Sequence, residues 1–203
     1  MGQDVARGIG GQYFARRGAV RCHIALLQRG VHIDNISTAS ATLTFLASPS
    51  LLKQAATLHE DLVSRLTAKL GADSFISEMV LQPMPKLFSK ISQRKGGNML
   101  GMERIQSSAV MWTGGIGTLG DEATFATAEM EFSAMLTTLK ESAIKEGALT
   151  DFIYINYAHP SQDALAGYGA ENVAFMKRVA AQYDPEGFMQ QRVPGGFKIT
   201  RVE

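Results

Sequence analysis

The sequence predicts an α+β fold: a mixed antiparallel sheet with helices on one face, then a C-terminal helix and an irregular tail. Three observations predict it. Short β-prone apolar runs stand at residues 42–46, 75–81, 108–113 and 152–157. Two intervening stretches carry apolar residues every three or four positions, which is the helical period. Hydrophobic residues make up 45% and charged residues 19% of the chain, the balance of a polypeptide that packs a core. Strands parted by helices and long connections place a helical layer against a sheet.

The elements follow in order. Residues 1–33 form a lead-in, expected to be poorly ordered because its first 19 residues are rich in Gly and Arg without a period. Residues 34–203 form one region with a C-terminal return segment. After the strand at 42–46, Ser48 or Ser50 caps a helix whose stripe is Leu51, Leu52, Ala55, Leu58, Leu62, Leu66 and Leu70, stopped by Gly71. The strand at 75–81 ends at Pro83 and Pro85, since proline donates nothing to a ladder. A short helix at 86–92 and a glycine-bearing loop at 94–102 come next. The strand at 108–113 runs into a glycine-rich turn at 114–120. Asp121 and Glu122 then open a long helix to about Glu146, with Phe125, Ala128, Phe132, Met135, Leu136 and Leu139 inward. A strand at 152–157, a short helix from Ser161 to near Gly167, and a helix from Glu171 to Tyr183 with Val173, Met176, Val179 and Ala180 inward complete the reading.

Composition excludes several classes. The chain has 203 residues, with 20 Lys and Arg against 19 Asp and Glu, a formal net charge of +1. Coating nucleic acid or acidic lipid takes a basic excess that is missing here. A chain of this length can bury roughly 70% of its unfolded surface, enough for one sizeable core. The single cysteine, Cys22, excludes an intramolecular disulfide and a thiolate-rich zinc site. No window approaches the roughly 20 apolar residues of a membrane span, and the N-terminus lacks the apolar region of a signal peptide. The default expectation is a cytoplasmic protein.

Little in the sequence carries chemistry by itself. The histidines His23, His32, His59 and His159 lack the i,i+4 spacing of a helical zinc site and read as solvated surface groups. The run Gly8-Ile9-Gly10-Gly11 and the cluster at 114–120 read as turns; at the second, Asp121 and Glu122 would repel a phosphate. Cys22 reads as a buried free thiol. Met79, Met84, Met99, Met102 and Met111 fit either adaptable core filling or a plastic apolar pocket. The most informative stretch is 152–162. On a strand, Tyr154 and Asn156 share one face while Ile155 and Tyr157 share the other. Buried there, the tyrosine and amide need hydrogen-bond partners, which a polar ligand or a backbone carbonyl could each supply.

Tyr154-Ile-Asn-Tyr157, Tyr168-Gly169, Glu171-Asn172, Tyr183-Asp-Pro185 and Pro194-Gly-Gly-Phe-Lys198 occur in the order and spacing of a known family's C-terminal end. Upstream, Gln82-Pro83 and Gly96-Gly-Asn-Met-Leu-Gly101 extend the pattern. The chain from about Thr42 to Ile199 resembles the substrate domain of FAD-linked oxidoreductases, the berberine-bridge-enzyme-like members of the vanillyl-alcohol oxidase superfamily common in fungal secondary metabolism. The resemblance implies a sheet with helices on one face and the flavin opposite the other. It implies that Tyr154 faces the substrate as the catalytic residue, that Asn156 and Tyr157 meet the cofactor, and that Gln82 lines the substrate cavity. It implies FAD as cofactor and no metal. The family's flavin-holding N-terminal half, with its pyrophosphate loop and the histidine that often bonds the flavin, has no counterpart here, and His159 replaces an acidic residue of the motif.

Three readings follow. In the first, the chain is the substrate half of an FAD-linked oxidoreductase, oxidising a small organic molecule by hydride transfer when a separate flavin-domain polypeptide completes it, with O2 as final acceptor. In the second, a retained pocket serves a cofactor-free cyclase or isomerase, orienting the reacting ends of its substrate. In the third, the chain is an inactive remnant whose uncovered wall drives self-association. The substrate, the stereochemistry and the natural start are not written in the sequence.

Overall fold

A computed structural model describes residues 36–202. The expectations for the lead-in, the glycine run at 8–11, Cys22, His23 and His32 lie outside the described residues. Strands β1 (Ile36–Leu46), β2 (Phe75–Met84) and β3 (Ala109–Leu119) form one antiparallel sheet in the order β1-β3-β2. Helix α1 (Pro49–Leu70) links β1 to β2, α2 (Lys86–Arg94) follows β2, and α3 (Glu122–Lys145) follows β3. Helices α4 (Ala170–Tyr183) and α5 (Phe188–Gln191) lie toward the end. The fold is α+β, as its alternation of apolar periods predicts.

Caps fix the two long helices. Ser48 Oγ accepts the Leu51 N–H at 3.4 Å, and Pro49 sits in the first turn where its missing donor is harmless. The Asp121 carboxylate accepts the Thr124 N–H at 2.8 Å and the Thr124 hydroxyl at 2.7 Å, bonds that hold its carboxyl below the usual range. Both helices bury one stripe on the same face of the sheet. Leu51, Leu62 and Leu66 from α1, and Phe132, Met135 and Leu139 from α3, meet Leu43, Phe45, Val110, Trp112 and Ile116 of the strands. Each large side chain so buried contributes about 1.5–3 kcal/mol.

His59 corrects a sequence expectation. It is not solvated: its residual exposure is 6%, and its Nε2 lies 3.0 Å from Ser77 Oγ, on the helix-covered face of β2. Burial pushes the imidazole below its ordinary pKa, with Glu60 opposing the shift. The unfolded chain therefore binds this proton more readily than the folded one. Stability is full above about pH 6.5, the unfolded value, and is lost as pH falls from there through the folded value. Urea midpoints measured from pH 8 down to 5 should fall below about pH 6.5, and the fall should shrink in His59→Gln, which keeps a group able to bond Ser77.

Four other elements differ from expectation. Residues 114–119 continue β3, and only Gly120 turns. Residues 152–157 are not a strand: the segment runs irregularly into a turn in which the Tyr157 N–H bonds Tyr154 O at 3.0 Å. In place of a short helix from Ser161, bends lead to one 3-10 turn, Ala166–Tyr168. Val179 faces outward at 37% exposure.

The segment at 148–162 instead seals the outer edge of β1 over residues 42–46. The Leu46 N–H bonds Ala148 O at 2.8 Å and the Thr150 N–H bonds Thr44 O at 3.0 Å. Gln162 then imitates a peptide unit. Its Oε1 accepts the Thr42 N–H at 3.2 Å and the His159 N–H at 2.9 Å, and its Nε2 donates to Thr42 O at 2.8 Å. Gln162→Ala should cost about 1–3 kcal/mol, because it leaves part-buried backbone groups unpaired. Hydrogen exchange at the Thr42 amide should rise with it.

Candidate functional site

The second face of the sheet holds the candidate site. Its residues alternate with those under the helices: Ser40, Thr42, Thr44 and Leu46 on β1, Ala109, Met111, Thr113, Gly115 and Gly117 on β3, and Ile76, Glu78, Val80, Gln82 and Met84 on β2. The C-terminal segment covers only one end of it. There Met84, Ala109 and Met111 pack under Phe152, Leu165, Tyr168, Val173, Ile199 and Val202. Beyond that cover, Ser40 and Gln82 are exposed, and Thr113, Gly115, Glu78 and Val80 are half-buried. Gly115 gives the central strand no side chain on this face, so its half-buried backbone is the floor there, while Gly117 farther along is buried. Glu78 leans over it: a Cβ built on Gly115 would lie 3.6 Å from Glu78 Cγ.

The turn at 154–157 borders the covered end. Phe152 anchors it, stacked on Tyr168 with ring centroids 5.9 Å apart. The Tyr168 oxygen accepts the Ile155 N–H at 3.2 Å, so a side chain serves a donor that a strand ladder would have used. Burial raises the Tyr168 pKa above its ordinary value, against the opposing pull of that bond. Tyr154 packs on the same apolar cluster, and its ring meets Tyr157 edge-on at 5.0 Å. The Asn156 Nδ2 donates to the Tyr154 oxygen at 2.8 Å. The structure thus brings Tyr154, Asn156 and Tyr157 together through a turn, where the sequence reading paired the first two through a strand. That bond leaves the Tyr154 O–H free to donate outward.

Gln82 stands on the same face, opposite Met111 in register, with its Nε2 4.0 Å from Met84 Sδ. It and Tyr154 flank the same covered end, with no hydrogen bond between them. The methionines do not share one pocket. Met79 packs under the helices, Met84, Met102 and Met111 belong to the second cluster, and Met99 is exposed. Sequence reasoning passed over Thr113, Gly115 and Glu78; their period-two register with Gln82 was the available signal, hidden by reading 114–120 as a turn.

Two neighbouring features are structural. A cavity of about 260 Å³ lies among Leu46, Gly101, Arg104, Leu149, Asp151 and Phe152. This is below the roughly 300–1,000 Å³ of ligand pockets. Arg104 spends its guanidinium inside the fold, donating to Gly167 O at 2.5 Å. His159 is half-buried, with Nδ1 2.7 Å from Ser161 Oγ and Nε2 3.2 Å from Glu129 Oε1, tying the edge segment to α3. The glycines at 114–117 cradle no phosphate, since they lie within a strand and Asp121 caps the helix that follows. Among the described residues no group of three metal-ligating side chains converges.

No family model and no solved structure matches the chain. Curated proteins do. It is 32% identical to the FAD-dependent monooxygenase drtC of Aspergillus calidoustus over 79% of this chain and 30% of that protein. It is 32% identical to the FAD-dependent monooxygenase sdcF of Emericella nidulans over 79% of this chain and 33% of that protein. A third, tpcD of Cochliobolus heterostrophus, is 32% identical over 78% of this chain and 31% of its own length. The chain's homologues are fungal FAD-dependent monooxygenases. It spans about a third of the length of these relatives. The described part, 36–202, is 167 residues, about the extent of the match to drtC, 166 residues. Among the described residues no helix is long and apolar enough to cross a membrane.

Proposed function

We propose that this chain carries the substrate-side region of a flavin-linked oxidoreductase of the berberine-bridge-enzyme-like kind, acting on a small organic molecule beside a flavin held by residues outside 36–202. What supports the reading is 32% identity to FAD-dependent monooxygenases over 79% of the chain. A pyrophosphate needs backbone N–H nests or open helix N-termini; Asp121 occupies the α3 start, and the uncapped α4 start carries Glu171 in its first turn, a charge that opposes an anion.

What the chain contributes is a wall. The glycine floor of β3 lets a flat molecule lie against the backbone, while Val80 and Thr113 offer apolar and hydroxyl contacts. Tyr154, the proposed catalytic residue, aims its O–H at a substrate oxygen or nitrogen, and Asn156 holds the phenol in place. Gln82 lines the substrate side. Asn156 and Tyr157 are the residues proposed to meet the cofactor. Flavin retention tests the division of labour. The full chain incubated with FAD and desalted should emerge colourless, and should turn yellow when co-expressed with the part of the Aspergillus calidoustus relative outside the match. A chain that is yellow by itself contradicts the division; colourless protein in both cases removes the flavin reading.

A further inference from the structure

The two edges of the sheet are treated differently. Residues 42–46 of the β1 edge are sealed by residues 148–162, whereas among the described residues no segment pairs with the outer edge of β2, which has a full set of donors from Phe75 to Gln82, before Pro83. Bare strand edges are ordinarily blunted, because their free N–H and C=O groups recruit other chains. Helix α2 starts one residue beyond this edge and is turned inside out. Leu87, Phe88 and Ile91 face outward at 53%, 49% and 40% exposure, and Ser89 on the opposite side is buried at 4%. An amphipathic helix points its apolar arc at whatever it packs on. No acidic residue occurs between Glu78 and Glu103, and the same stretch holds Lys86, Lys90, Arg94 and Lys95. Lys86 is engaged with the carbonyls of Glu103 and Ile105, leaving Lys90, Arg94 and Lys95 exposed around the apolar arc.

We propose that the β2 edge and α2 together form a docking surface for an extended acidic polypeptide segment. It adds a fourth strand beside β2, rests apolar side chains on Leu87, Phe88 and Ile91, and places carboxylates against Lys90, Arg94 and Lys95. The ladder groups decide between partner classes: a bilayer offers nothing to a strand edge, whereas a peptide pairs with it and gains specificity from alternate side chains. The inference rests on the reading of the chain as the substrate-side region of a flavin-linked enzyme, and it names a surface on which that region meets a further polypeptide segment.

Short overlapping peptides covering the part of the Aspergillus calidoustus relative outside the match supply the probe. Acidic segments should bind the full chain, slow exchange at the outward amides of β2, and lose at least about tenfold in affinity in the Lys90→Glu/Lys95→Glu variant, as paired rim charges set partner choice. A Phe88→Ser variant should weaken binding with the circular dichroism of the fold unchanged. Binding by no segment, binding indifferent to charge reversal, or attachment to phosphatidylserine vesicles in place of peptides overturns the proposal. Outward β2 amides already protected in the isolated chain overturn it too, because residues 1–35 or a second copy would then occupy the edge. No arm contains flavin, so a negative result here leaves the retention experiment standing.

Discussion

Gly114→Ala should lower stability by about 2 kcal/mol, an outcome opposite to the usual gain of about 0.5–1 kcal/mol when alanine replaces glycine inside a strand. The reason is Trp112. Its indole is fully buried, stacked on Phe132 at 6.2 Å, and it lies across the position where residue 114 would carry a side chain. A Cβ there would sit 2.5 Å from Trp112 Cη2, 2.6 Å from Cζ2 and 3.2 Å from Phe132 Cε2. Those atoms are rigid rings held between helix and sheet, so relief requires both to move. Overpacking of a core costs about 1–3 kcal/mol, and the strand preference of alanine offsets only part of that. Urea unfolding should give the loss, with a changed near-ultraviolet circular dichroism signal from the displaced indole. Unchanged stability would mean that the indole does not lie over Gly114.

Gly115→Leu, one residue along, should leave stability within about 1 kcal/mol, the range of a tolerated strand substitution, and abolish small-molecule binding. Successive strand residues face opposite ways, so this side chain points to the open face. The nearest atoms to a Cβ built there are at 3.6 Å, on Ala39 O and the mobile Glu78 side chain, which is ordinary contact. Leucine at this position fills the floor between Thr113 and Glu78. A panel of small aromatic alcohols, followed by amide chemical shifts, should perturb Thr113 and Gly115 in the natural chain. The variant should lose those shifts by at least about tenfold in affinity, equal to about 1.4 kcal/mol. Shifts that persist in the variant would move the site elsewhere.

Much of this architecture was legible in the sequence. The stripe from Leu51 to Leu66 and the Asp121 start of α3 are local signals, readable because a cap and an apolar period act within a few residues. His59 was misread because burial is set by a partner eighteen positions away, Ser77 on β2. The glycines of β3 were taken for a turn because their usual backbone freedom says nothing about a tertiary reason, here the indole on one side and an open floor on the other. Residues 152–157 have strand composition, yet Phe152 and Tyr168 hold them in a turn; a distant hydroxyl replaced the ladder. At the site, the sequence singled out Tyr154, Asn156, Tyr157 and Gln82, but not the glycine floor on the same sheet face as Gln82, because a backbone surface bears no residue signature.

The proposal at the centre of this account is that residues 36–202 present a wall for a flat molecule and leave the nucleotide's phosphates to residues outside that range. Splitting the cofactor into its chemical halves tests it most directly. With riboflavin, which has the ring and no phosphate, the amides of Thr113 and Gly115 and the Tyr154 ring should shift saturably. With ADP, which has the phosphates and no flavin ring, residues 36–202 should show no saturable shift. Saturable ADP binding among those residues, or riboflavin shifts confined to the helix-covered face, would contradict the account.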